Sequence, residues 1–125
     1  MIVAIGVDSI AIRRIDDLWQ RAGARFLERI FTDAERAYCL SRHRPAESLA
    51  ARFCAKEAVM KCLGSGWAMG LGFRQIEVER DGSGAVRVRL TGEAAARAAA
   101  RSIRVVHLSM THTGDVATAF AVAQS

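Results

Sequence analysis

The chain opens on an almost unbroken apolar run, Ile2-Val3-Ala4-Ile5-Gly6-Val7, closed by Asp8. A short apolar run rich in β-branched residues predicts a buried strand over 2–8. The period then changes. Ile12, Ile15, Leu18 and Trp19 recur at helical spacing within 10–21, with Arg13, Arg14, Asp16, Asp17, Gln20 and Arg21 on the polar side. Gly23 ends or bends this helix, and a further helical piece covers 25–31. Thr32-Asp33-Ala34-Glu35 has the S/T-x-x-E form of a capping box, so another helix starts there and fades near Arg42–Pro45. Pro45 suits the first turn of the next helix, placed at 46–63, and Gly64 is a good C-terminal stop.

The second half reads differently. Residues 64–72 hold four glycines and form a loop. Phe73–Arg80 and Ala85–Leu90 alternate, and Asp81-Gly82-Ser83-Gly84 between them is a hairpin signal. The Ala-rich stretch 92–101 is helical. Val105–Met110 and Val116–Ala123 are two more strands, joined by the loop Thr111-His112-Thr113-Gly114-Asp115. With no internal repeat or linker, the pattern predicts one α+β domain over 1–125, with a helical N-terminal half and a mainly antiparallel sheet.

Composition narrows the function classes. A 125-residue chain with 51% hydrophobic residues fits one globular domain. No apolar run approaches the ~20 residues that span a bilayer, and the N-terminus lacks the basic region of a signal peptide. Cys39, Cys54 and Cys62 form no CxxC pair, and Cys54 and Cys62 lie too far apart on one helix for a disulfide. This usage suits the reducing cytoplasm. The net charge of +5 predicts an acidic partner: nucleic acid, a phosphorylated cofactor or an acidic protein.

The densest chemistry lies in 52–64, where Arg52, Lys56, Glu57 and Lys61 stand among apolar and small residues on one helix. Buried charge needs partners. Asp8 at a strand end is either a metal ligand or the N-cap of the following helix. Glu57 either shares a divalent ion with Asp8 or pairs with Lys61 at i, i+4 or with an arginine. Lys56 falls among Leu49, Phe53, Met60 and Leu63 on the helical wheel, so it either neutralises phosphate or snorkels to a nearby surface. His112 can contact phosphate or assist proton transfer, or do neither. Arg14, Arg21 and Arg25 share a face if the helix continues past Gly23, giving a basic stripe or an ordinary solvated face. The glycine loop lacks the GxxxxGK[ST] order of a P-loop.

Three segments in register carry a family resemblance. They are Ile5-Gly6-Val7-Asp8 with Arg14-Ile15, then Ala51-Arg52-Phe53-Cys54-Ala55-Lys56-Glu57-Ala58 with Lys61 and Leu63-Gly64, then Leu108-Ser109-Met110-Thr111-His112-Thr113. In these the chain resembles the small bacterial 4′-phosphopantetheinyl transferases, the holo-acyl-carrier-protein synthases. The resemblance implies transfer of the phosphopantetheine arm of coenzyme A to a serine of apo acyl carrier protein, leaving adenosine 3′,5′-bisphosphate. It implies catalytic roles for Asp8, Glu57, Lys61 and His112, with Mg²⁺ on Asp8 and Glu57. It places coenzyme A against Lys61 and His112, with Arg52, Lys56 and Thr113 as further contacts. It also implies a homotrimer with sites between subunits, and docking of the carrier protein on Arg14, Arg21 and Arg25. Glu57 and water activated at the metal both stay open as the base. Cys54 stands where the family usually has a small residue. Fatty-acid and polyketide carrier types both stay open. The rival reading is a non-catalytic basic module for nucleic acid, resting on charge alone.

Overall fold

The computed structural model describes residues 1–64 and 71–125, so most of the glycine loop (65–70) lies outside the described residues. Strand β1 (Ile2–Ala11) leads into α1 (Ile12–Ala22), α2 (Ala24–Ile30), α3 (Asp33–Leu40) and the long α4 (Pro45–Leu63). A 3-10 turn (Phe73–Gln75), β2 (Ile76–Arg80), β3 (Val86–Leu90), α5 (Gly92–Ala100), β4 (Val105–Thr113) and β5 (Val116–Gln124) follow. The strands form two antiparallel sheets, a three-stranded one in the order β1-β5-β4 and the β2-β3 hairpin. The expected α+β class with antiparallel pairing holds, divided between two sheets.

Local chemistry explains most boundaries. Thr32 and Glu35 form the reciprocal capping box that starts α3, and Pro45 opens α4. Gly64 closes α4 in the left-handed region, at φ 93°. In the β2-β3 turn, Asp81 Oδ1 accepts from the Ser83 and Ala85 amides.

Two boundaries depart from the sequence pattern. β1 runs on to Ala11 because β5 offers ladder partners there: Ser9 faces Thr118, Ile10 faces Ala117 and Ala11 faces Val116. Asp8 is therefore inside the strand, and the helix cap is Ala11, which makes no side-chain cap bond. That removes the N-cap reading of Asp8. Likewise β4 extends through Thr113, so His112 is a strand residue paired with Ala117, and the connection to β5 is the tight Gly114-Asp115 turn. Phe73–Gln75 coils as a 3-10 turn instead of joining the strand, which lets Phe73 bury and stack on Phe53 at 5.1 Å.

The core has α4 at its centre. One side of this helix lies on the inner face of the three-stranded sheet, where Ala117, Ala119, Ala121 and Ala123 of β5 are fully buried. These small side chains permit close approach of helix and sheet. Closer still is Gly6: a Cβ there would lie 2.1 Å from the Ala58 carbonyl oxygen. The opposite side of α4, carrying Leu49, Lys56, Met60 and Leu63, is buried too. Helix α4 is thus covered on two sides, which leaves its two flanks for chemistry.

Candidate active site

On one flank of α4 lie Asp8, Glu57 and Lys61. Asp8 sits on β1 opposite Ala119, its side chain about a fifth exposed. Lys61 Nζ donates to the Val7 carbonyl at 2.7 Å and lies 3.4 Å from Asp8 Oδ1. The expected i, i+4 pair of Glu57 with Lys61 does not form, because Lys61 turns to β1 instead. Burial pushes the Glu57 carboxyl above the usual carboxylate range, and the Asp8 charge adds to this. Lys61 and Arg14 pull it back. A buried carboxylate beside a second one, with cations at their edge, is the kind of donor pair suited to a divalent cation. Arg14 of α1 therefore belongs to this edge, a placement its spacing did not reveal. Cys54 lies beneath: burial and the Asp8 charge push its thiol up to about 12, and its Sγ donates to the Ala117 carbonyl at 3.4 Å.

On the other flank is a cavity of roughly 430 Å³ whose lining includes Tyr38, Arg42, Arg52, Arg80, Thr111 and His112. Arg52 is 2% exposed, stacks its guanidinium over the Tyr38 ring at 4.3 Å, and leaves its Nε without a hydrogen-bond partner among the described residues. A buried, incompletely paired guanidinium facing a cavity with two more arginines is suited to an anion. His112 Nδ1 lies 3.9 Å from Glu47 Oε2. The threonine lining this cavity is Thr111, whereas Thr113 ends the strand opposite Val116. Tyr38, Arg42 and Arg80 were missed by sequence reasoning, since they come from α3, the turn after it and β2.

Within a chain the two groups lie on opposite flanks of α4. Arg52 and Lys61 are nine residues apart, about half a turn of helix in net rotation at roughly 100° per residue. In the sheet, Asp8 is level with Met110 across Ala119, and His112 is level with Ile10 across Ala117. Asp8 and His112 thus share the face under α4, two strands apart and two residues offset along the strand, about 12 Å at ordinary strand dimensions.

Lys56 requires a correction. Neither its phosphate role nor snorkelling holds, because the side chain is fully buried. Its Nζ donates to Glu35 Oε1 at 2.7 Å, to the Phe73 carbonyl at 3.0 Å and to the Ile76 carbonyl at 2.6 Å. Glu35 also accepts from the Thr32 and Val78 amides. Burial pulls the Lys56 ammonium down while the Glu35 carboxylate pushes it back up. All three ammonium protons have acceptors, so Lys56 ties α3, α4 and β2 together and is out of a ligand's reach. The basic stripe is also corrected. Arg14, Arg21 and Arg25 are all exposed, but the chain breaks at Gly23, so Arg25 belongs to a second helix with its own axis.

The family model described as the 4′-phosphopantetheinyl transferase superfamily matches residues 4–121. A holo-[acyl-carrier-protein] synthase of Desulforudis audaxviator is 47% identical over 123 residues, 98% of this chain and 93% of the relative. Among solved structures, the Neisseria meningitidis holo-[acyl-carrier-protein] synthase aligns over all of both chains, with a TM-score of 0.91 at 33% identity. The Helicobacter pylori enzyme in complex with coenzyme A aligns over 97% of this chain and 100% of that one, with a TM-score of 0.85 at 28% identity. The chain belongs to the 4′-phosphopantetheinyl transferase superfamily and, within it, is an enzyme of the holo-acyl-carrier-protein synthase kind. The reading as a non-catalytic basic module is thereby set aside. Among the described residues no helix is long and apolar enough to cross a membrane.

Proposed function

We propose that this protein transfers 4′-phosphopantetheine from coenzyme A to a serine of apo acyl carrier protein in a Mg²⁺-dependent reaction, releasing adenosine 3′,5′-bisphosphate. The observation that carries this reading is the Asp8–Glu57 pair edged by Lys61, in a chain with a solved relative that holds coenzyme A. The donor set fits Mg²⁺, which is commonly bound by one or two carboxylates with substrate phosphates and water completing the octahedron. Asp8 and Glu57 hold it. When bound, it neutralises charge on the pyrophosphate oxygens.

The remaining chemistry belongs to the side chains. Lys61, half exposed, swings to the pyrophosphate and balances the charge that develops on the leaving oxygen. The serine Oγ forms a bond to the phosphorus next to the pantetheine, and the bridging P–O bond breaks with its electron pair going to the bisphosphate. The serine proton passes to a base at the Glu57 edge, either Glu57 itself or water held beside it.

Arg52 and His112 serve the same substrate from a second copy. Within one chain they face the flank of α4 opposite Lys61, which supports a site that draws its two halves from two chains. The open face of the three-stranded sheet supports association: Ile5, Val7 and Phe120 are 61%, 50% and 44% exposed, with Val7 paired directly against Phe120. We assign a homotrimer with sites between subunits. Arg14 and Arg21, with Arg25 on the adjoining helix, dock the acidic carrier protein at the Glu57 edge. Three free buried cysteines fit a cytoplasmic setting.

Intact-mass spectrometry of apo acyl carrier protein incubated with this protein, coenzyme A and Mg²⁺ tests the proposal. A gain of one phosphopantetheine, lost with EDTA, is expected. No gain with several carrier proteins would refute it.

A further inference from the structure

Lys61 occupies ground that a divalent cation needs. Its Nζ lies 3.4 Å from Asp8 Oδ1 and donates to the Val7 carbonyl at 2.7 Å, so an ammonium already faces the Asp8 carboxylate. An ammonium and a dication cannot share that side without strong repulsion. Yet the lysine side chain is about half exposed and, among the described residues, makes only these two polar contacts, so it can leave. A phosphate oxygen is a better partner for it than a backbone carbonyl, because the hydrogen bond is charge-assisted on both sides.

We propose that Lys61 couples the metal to the phosphate. In the free protein it shields Asp8 from divalent cations, and an incoming phosphorylated ligand draws the ammonium off and opens Asp8. The inference rests on the reading of Asp8 and Glu57 as the magnesium pair. Linkage makes the coupling reciprocal: whatever factor coenzyme A adds to metal affinity, the metal adds to coenzyme A affinity. The free protein then binds divalent cations weakly, and the metal settles together with the nucleotide. Arg14 provides the contrast, since it faces Glu57 electrostatically and makes no contact with Asp8 among the described residues.

Mn²⁺ titrations followed by the electron paramagnetic resonance signal of the free ion test this without an activity readout. They compare the wild-type protein with Lys61→Met, Arg14→Met and Asp8→Asn, each with and without coenzyme A, after thermal melts confirm folding. Lys61→Met is expected to bind Mn²⁺ alone about tenfold more tightly than wild type, and to show a smaller enhancement by coenzyme A than the wild type shows. Arg14→Met is expected to change Mn²⁺ affinity by less than about threefold. Lys61→Met binding Mn²⁺ no more tightly than wild type, or equal gains in Lys61→Met and Arg14→Met, would overturn the coupling. In either case a loss of Mn²⁺ binding in Asp8→Asn would keep the magnesium pair standing. Unchanged binding in Asp8→Asn would overturn the magnesium pair itself and the coupling with it.

Discussion

Substituting Gly6 by alanine should damage both stability and catalysis through one contact. The added Cβ would lie 2.1 Å from the Ala58 oxygen, 3.0 Å from the Ala58 carbonyl carbon and 3.3 Å from Lys61 Cβ. Ordinary contact between carbon and oxygen is about 3.4 Å, so β1 and α4 must part by about 1 Å. The obstacle is helix backbone, which cannot rotate away as a side-chain tip would. Overpacking of this kind costs about 3 kcal/mol, and in a chain of this length that lowers the melting temperature by about 10 °C. The parting falls where Asp8 of β1 meets Glu57 and Lys61 of α4. A misplacement of about 1 Å among reacting groups costs about a hundredfold in rate. Thermal denaturation and the mass-based transfer assay, run below the lowered melting temperature, measure the two effects. Gly82→Ala is the control, because nothing lies within 4 Å of its added Cβ. A Gly6→Ala protein with wild-type melting and wild-type turnover would refute the packing argument and the idea that this contact sets the carboxylate spacing.

Three further outcomes follow from the same geometry. Glu57→Ala and Arg52→Ala should each be nearly inactive alone, yet an equal mixture reassembled from unfolded chains should recover about a quarter of wild-type activity, because random assembly pairs an intact Glu57 with an intact partner Arg52 at about one site in four; no recovery would place both residues in a single-chain site. Lys56→Met should destabilise by about 4 kcal/mol in urea denaturation, since it strands the buried Glu35 carboxylate, and adding Glu35→Gln should restore part of that loss; a neutral Lys56→Met would mean the ammonium does not hold α3, α4 and β2 together. A thiol reagent at pH 8 should modify no cysteine rapidly in the native protein and all three after denaturation, because Cys39, Cys54 and Cys62 are fully buried and burial pushes the Cys39 and Cys54 thiols up to about 11 and about 12; fast native labelling would show that α4 opens from the sheet.

What the amino-acid sequence determined was local or repeated at a fixed period. The α1 stripe, the Thr32–Glu35 capping box, Pro45 and Gly64 at the ends of α4, and the Asp81–Gly84 turn all act over a few residues, so their physics is complete in the chain itself. The three segments around Asp8, Glu57 and His112 likewise carried the family without reference to contacts. Tertiary structure decided the rest, because each remaining question concerned a partner distant in sequence. Residues 9–11 stay in β1 because β5 supplies their hydrogen bonds from more than a hundred positions away. Lys56 is tied down by Glu35 and by two β2-side carbonyls, partners that no helical wheel displays. Gly6 reads as a flexible strand residue until Ala58 is placed against it. The sequence could put Arg52 and Lys61 on different sides of one helix. Only the packing of that helix, with one side on the sheet and the opposite side buried, turns those two sides into separate flanks, since burial on two sides leaves charge no other place to go.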